Sequence, residues 1–258
     1  MKKPGGIPSL TRLRPGGDFP ALDAAWGAND PMPGLLAVGG VLDVPTLLKA
    51  YCSGVFPWFS LSDPLLWWSP DPRMVLQTAN FRLHRSLRKR IQQCLATPGF
   101  EVRFDSDFSA VIQACATQSR KGQIGTWIVD EMVQAYTELH AAGHAHSVET
   151  WMDGQLVGGL YAVQIGNMVF GESMFSRADD ASKIALAALV AFCRHHGIAW
   201  IDCQQNTQHL AFMGADVVSR ASFTSHVRTA VQGVAPIWKF NPLYWNEVLK
   251  SPPQFAQP

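Results

Sequence analysis

Val169-Phe170-Gly171-Glu172-Ser173-Met174-Phe175-Ser176-Arg177 opens the stretch that decides the fold, and Trp200-Ile201-Asp202-Cys203-Gln204 closes it. The first segment reads as a strand ending on polar residues, Asp180 to His196 as a helix, and the second segment as a short strand. This is a βαβ-like unit, and α/β folds place chemistry at the ends of such units. Asp202 and Gln204 are two apart, so strand alternation puts them on one face and Cys203 on the other. If the two strands are neighbours, the carboxylates of Glu172 and Asp202 and the amide of Gln204 converge. Cys203 is expected to pack rather than react.

The intervening helix has almost no polar face, with Ile184, Leu186, Ala187, Ala188, Leu189, Val190 and Phe192 in close succession. It must be buried, and Gly197 is placed to end it. Upstream, the period is two. His146 to Trp151, Gln155 to Gln164 and Met168 to Phe175, joined by turns at Asp153-Gly154 and Gly166-Asn167, read as an antiparallel meander. Before it come a strand at Phe100 to Phe104, a helix to Thr117 capped by Asp105 or Asp107, and a helix from Asp130 to Ala142 entered through Gly125-Thr126-Trp127-Ile128. After Gln204 the pattern predicts a short helix over Asn206 to Met213 capped by Asn206, a last strand at Ala215 to Ser219, and a tail beyond Val234 that wraps the surface with Trp238, Tyr244 and Trp245.

The N-terminal part has a different texture. Asp43 is a good N-cap for a helix through Tyr51, with Pro45 in its first turn and Gly54 to stop it. Gly54-Val55-Phe56-Pro57-Trp58-Phe59-Ser60 and Leu66-Trp67-Trp68-Ser69-Pro70-Asp71-Pro72-Arg73 then concentrate aromatics and prolines. Such residues either staple a loop-rich module onto its neighbour or form a platform for a base, stacking being worth about 1–3 kcal/mol per base. Arg82-Leu83-His84-Arg85-Ser86-Leu87-Arg88-Lys89-Arg90-Ile91 follows, an apolar stripe every four residues with cations on the other faces. That face is either simply solvated or a phosphate-binding patch. The one shift in composition falls near Leu76, dividing the chain into a module of residues 1–75 and a domain of 76–258.

The bulk numbers bound the partners. With 258 residues, 47% hydrophobic and 16% charged, the chain can bury a large core, and its net charge of +1 advertises neither nucleic acid nor membrane as a global partner. No run reaches the roughly 18 apolar residues of a membrane span and no signal peptide is evident, so a cytoplasmic protein is expected. The five cysteines are scattered and never in a CxxC pair, against both a disulfide framework and a zinc site.

Seven words in order carry a resemblance: Gly34-Leu35-Leu36-Ala37, the two aromatic segments above, His144-Ala145-His146-Ser147, Leu156-Val157-Gly158-Gly159, Gly171-Glu172-Ser173-Met174-Phe175-Ser176 and Ile201-Asp202-Cys203-Gln204. Together they resemble the bacterial leucyl/phenylalanyl-tRNA protein transferases over roughly residues 30 to 230. The resemblance implies an α+β protein: a small N-terminal module and a GNAT-like acyltransferase domain with a mixed, largely antiparallel sheet. It implies transfer of Leu or Phe, and less well Met, from Leu-tRNA or Phe-tRNA to proteins beginning with Arg or Lys, marking them for N-degron degradation, with no cofactor or metal. GNAT enzymes hold coenzyme A pyrophosphate with a glycine-rich turn at a helix N-terminus. Here that turn reads Ser176-Arg177-Ala178-Asp179-Asp180-Ala181-Ser182, whose aspartates weigh against an acyl-CoA donor.

By the same resemblance, Gln204 orients the attacking amine and Asp202 polarises Gln204 or takes up positive charge, and the proton is expected to leave through Asp202, water or the tRNA ribose. Glu172 suits the cationic side chain of the acceptor or the ammonium of the donor, or else pairs with Arg177. Leu160, Met174, Leu186 and Leu189, beside Gly171, are the expected donor pocket, and Trp58 and Trp127 the partners of the 3′ adenosine. Arg82, Arg85, Arg88 and Lys89 are the candidates for the tRNA acceptor stem. Two rivals share many of these features: a related transferase with a different acceptor, and a non-catalytic tRNA-binding protein.

Overall fold

A computed structural model describes residues 9–118 and 128–250. Its first sheet is built from β1 (Thr11–Leu13), β2 (Leu35–Gly39), β3 (Phe56–Pro57) and β4 (Leu66–Trp68), in the order β1-β2-β4-β3, with helix α1 (Val44–Cys52) between β2 and β3. The expected cap holds: Asp43 accepts the Thr46 amide at 2.9 Å, with Pro45 in the first turn. The aromatic segments are more regular than their composition predicted. Trp67 is fully buried with its indole N–H on the Gly39 carbonyl, and Trp68 donates to the Trp58 carbonyl.

The larger unit runs β5 (Arg73–Gln77), α2 (Arg85–Leu95), β6 (Phe100–Phe104), α3 (Phe108–Thr117), α4 (Asp130–Ala141), β7 (Ala145–Met152), β8 (Gln155–Ile165), β9 (Met168–Ser176), α5 (Ala181–His195), β10 (Trp200–Gln204), α6 (Gln208–Phe212), β11 (Asp216–Val218), α7 (Arg220–Ala230) and α8 (Asn246–Leu249). Its seven strands lie in the order β11-β5-β10-β9-β8-β7-β6, every pair antiparallel except β9 with β10. The protein is therefore α+β with a mixed, largely antiparallel sheet. It has the meander, the buried crossover helix and the parallel strand expected from the sequence.

Alternation in the meander sends successive side chains to two apolar clusters, one on each face. Tyr161 and Val163 face α3, α4 and the N-terminal sheet, while Leu160 and Ala162 face α5. Helix α5 is buried along nearly its whole length and approaches the sheet closely. A Cβ on Gly158 would lie 2.5 Å from that of Ala181. Among the described residues, no helix is long and apolar enough to cross a membrane.

Three details depart from the sequence reading. Helix α6 is capped by Thr207, whose hydroxyl accepts the Leu210 amide, and not by Asn206. Helix α7 lies in a stretch whose pattern was not read as helical, yet it buries Phe223 and Val227. The tail does not merely wrap the surface. Trp238 and Trp245 are buried beside α5, and the Trp238 indole donates to the Ser147 carbonyl, so aromatic weight overrides an irregular backbone.

Candidate active site

Strands β9 and β10 pair only through Val169 with Ile201 and Phe170 with Asp202. Beyond those residues β9 continues along β8 while β10 stays with β5, and the two diverge. The gap is a cavity of about 460 Å³. Leu160, Gly171, Glu172, Met174, Leu186, Leu189, Asp202, Cys203 and Gln204 line it, Trp58 enters from the N-terminal sheet, and His209 and Leu210 from α6.

A β-bulge on each strand sets the polar residues. Tyr161 faces Ser173 and Ala162 faces Gly171, so Glu172 is the extra residue of β9. On β10, Asp202 faces Val75 and Gln204 faces Met74, so Cys203 is the extra one, and Gln204 takes a left-handed φ of 55°. Simple alternation therefore breaks between Asp202 and Gln204. Asp202 is fully buried, whereas Gln204 reaches across the gap, its amide donating to Glu172 Oε1 at 3.1 Å. Cys203 packs toward the cluster under α5 while bordering the cavity, and burial pushes its thiol pKa up, which keeps it unreactive.

Asp202 has a partner the sequence reading did not assign. Arg73 donates through Nε to Oδ1 at 2.8 Å and through Nη2 to Oδ2 at 2.6 Å, and the Gln204 backbone amide donates to Oδ1 at 2.9 Å. The guanidinium lies 4.6 Å from the Phe56 ring centre and 4.5 Å from that of Phe223, with Nη1 on the Gly54 carbonyl. This pair is buried and bidentate. It fixes the backbone of Gln204 and engages both oxygens of Asp202.

Glu172 is held by residues from two other elements. The Tyr51 hydroxyl of α1 lies 2.7 Å from Oε1 and the Tyr136 hydroxyl of α4 lies 3.3 Å from Oε2. The two phenols are also hydrogen-bonded to each other, so two phenol protons are shared among three contacts. Burial is the main influence on this carboxyl, and the charge of Asp202 adds to it; against the opposing tyrosine hydrogen bonds, they raise its pKa to about 8. Burial and the nearby Glu172 push both tyrosines well above the usual phenol range, so they remain donors. Glu172 does not pair with Arg177, which instead donates to the Leu156 carbonyl and lies over Phe175.

The other expected residues divide. Leu160 and Met174 are cross-strand partners, and Leu186 and Leu189 face them from α5. With Gly171 they form the apolar end of the cavity, and Trp58 stands at its margin, 5.3 Å from Trp68. Trp127 lies outside the described residues. Arg82, Arg85 and Lys89 are exposed, but the guanidinium of Arg88 is tied to the Leu249 carbonyl and is less available than its helical position implied. The Arg82 amide bonds the Met213 carbonyl and His84 stacks on Phe212, which joins this basic segment to α6 at the cavity mouth. Away from the cavity, Asp105, His140 and His146 bring ligand atoms within 4.8 Å of one another. Their polar atoms serve each other and the Ala145 carbonyl.

The family model described as leucyl/phenylalanyl-tRNA protein transferase matches residues 75–228, and that of its N-terminal domain residues 40–71. A leucyl/phenylalanyl-tRNA protein transferase of Polaromonas sp. is 62% identical over 237 residues, covering 92% of this chain and 93% of the relative. That of Albidiferax ferrireducens is 58% identical over 242 residues, covering 94% and 95%. Among solved structures, a GCN5-related N-acetyltransferase-like protein from Streptococcus suis matches with a TM-score of 0.31 at 13% identity, covering 68% of this chain and 64% of that one.

Proposed function

The chain belongs to the leucyl/phenylalanyl-tRNA protein transferase family and is an aminoacyltransferase acting on aminoacyl-tRNA and protein; on that premise we propose its substrates and the roles of its residues. It moves Leu or Phe, and less well Met, from Leu-tRNA or Phe-tRNA to the α-amino group of cytoplasmic proteins that begin with Arg or Lys. The product enters N-degron degradation. The observation that carries this reading is one cavity with an apolar end and a polar end that meet at the Gln204–Glu172 contact.

Aminoacyl-tRNA is an activated ester, so the enzyme has to position an amine and stabilise the oxyanion that forms. The donor side chain occupies the apolar end formed by Leu160, Met174, Leu186 and Leu189. Such a pocket gains only about 1–3 kcal/mol per methylene, which suits a donor range wide enough to include Met. The terminal adenosine stacks on Trp58, and Arg82, Arg85 and Lys89 meet acceptor-stem phosphates. Gln204 orients the attacking nitrogen through its amide oxygen, while Arg73 and Asp202 hold its backbone. The N-terminal sheet and α1 act as a module that supplies Trp58 and Tyr51 to a catalytic domain built on the seven-stranded sheet. The first strand of that sheet begins at Arg73, before the boundary of 1–75 and 76–258 expected from composition.

The test uses radiolabelled Leu-tRNA and a model protein beginning with Arg. Acid-precipitable label that resists mild base is the expected product of peptide transfer. Retention of tRNA on a filter with no such label contradicts the proposal.

A further inference from the structure

The amine that attacks the ester must lose a proton, and the ribose oxygen that leaves must gain one. Asp202 is poorly placed for that traffic. Arg73 occupies both of its oxygens, the Gln204 amide shares one, and the carboxylate is fully buried. Gln204 is an amide and too weak a base. Of the groups lining the cavity, Glu172 is the one carboxyl without a bound cation, and it touches the side chain that orients the amine.

We infer that Glu172, wired to Tyr51 and Tyr136 and in contact with Gln204, accepts the proton of the attacking amine and returns it to the departing ribose oxygen. This rests on the transfer reading and adds the proton path to it. In the balanced step, the amine nitrogen forms a bond to the carbonyl carbon and the ester C–O bond breaks. One proton passes from nitrogen to a Glu172 oxygen and then to the 3′ oxygen, leaving Glu172 as it began. No further reactant is consumed.

The surroundings of Glu172 are arranged for this exchange. The Tyr51 and Tyr136 hydroxyls share their two protons between the Glu172 oxygens and each other, and the Gln204 amide donates from β10. The Asp202–Arg73 ion pair lies behind, its acid raising the Glu172 pKa more than its guanidinium lowers it. The two phenols stabilise the ionised form, while burial favours the neutral one. The resulting pKa of about 8 matches an α-amino group at about 7.7–8.0. Ionised Glu172 is therefore a competent acceptor for a proton of that amine. Tyr51 belongs to the N-terminal module, so the proton acceptor is completed from both parts of the chain.

The experiment is a pH profile of kcat for full-length enzyme with saturating Phe-tRNA and one fixed Arg-starting peptide, comparing wild type, Glu172→Gln, Tyr51→Phe and Tyr136→Phe. Because the peptide is the same throughout, any difference in midpoint belongs to the enzyme. Glu172→Gln is expected to lower kcat about 100-fold with little change in peptide KM. Tyr51→Phe and Tyr136→Phe keep the base but remove hydrogen bonds that lower its pKa. Their activity should rise at higher pH than wild type, with the larger displacement at Tyr51. If Glu172→Gln raises peptide KM and spares kcat, Glu172 binds the acceptor cation and the inference falls. It also falls if both phenylalanine variants keep the wild-type midpoint. Wild-type enzyme that transfers nothing overturns the transfer reading itself, an outcome distinct from both.

Discussion

The two walls of the cavity are built in opposite ways. The apolar wall comes from β8, β9 and α5, three consecutive elements whose side chains need only the right periodicity and volume. The polar wall gathers Tyr51, Arg73, Tyr136, Glu172, Asp202 and Gln204 from α1, β5, α4, β9 and β10, and depends on two bulges. On the proposed reading the first wall tolerates substitution and selects by volume. The second is a network in which removing one member leaves another buried without its partner. Choice of donor and chemistry are thus separable in mutants, and each wall predicts its own kind of failure.

The largest effect is expected in the polar wall. Asp202→Ala leaves Arg73 buried between Phe56 and Phe223 without its carboxylate, at a cost of about 3–5 kcal/mol. Urea denaturation measures it. Pairing the change with Arg73→Met should restore part of the loss, and a double variant no more stable than Asp202→Ala would show that the ion pair is not the source.

In the apolar wall the expected effect is smaller and falls on selection. Leu186→Ala enlarges the donor end, so the kcat/KM ratio of Phe-tRNA to Leu-tRNA should rise by up to about 1–3 kcal/mol for each methylene-sized change. A uniform fall for both donors would place Leu186 in the structural core alone.

The subtlest prediction concerns pH and stability. Glu172 has a folded pKa of about 8, above its ordinary value of 4.5, so the folded chain binds more protons than the unfolded one between those values. Its contribution is fully present below about 4.5 and is lost as pH rises through about 8. The Tm of wild type should therefore fall relative to that of Glu172→Gln as pH increases across this window. Parallel curves for the two proteins would mean the carboxyl titrates normally.

The same contrast explains how much could be read in the sequence. Meander, buried helix and crossover strand follow from period-two and near-continuous apolar patterns, and with them the apolar wall. Glu172, Asp202 and Gln204 stood out as polar residues at strand ends. Arg73 carries a signal of its own, since a lone cation heading the run Met74-Val75-Leu76 needs a buried acid. Tyr51 and Tyr136 carried none, because a tyrosine on a helix face reads as core until its hydroxyl partner is located. The bulges were equally invisible, and they are why the alternation argument misplaced Asp202 relative to Gln204. The tail failed for a related reason, since Trp238 and Trp245 reach the core from a chain with little regular structure.

On the proposed reading the polar wall performs transfer while the apolar wall holds the donor. Gln204→Ala tests it most directly in single-turnover transfer from saturating Phe-tRNA to an Arg-starting peptide, with donor Kd measured alongside. The prediction is an unchanged Kd and a transfer rate lowered about 100-fold through lost orientation of the amine. An unchanged rate, or a weaker Kd that accounts for the whole loss, would contradict the account.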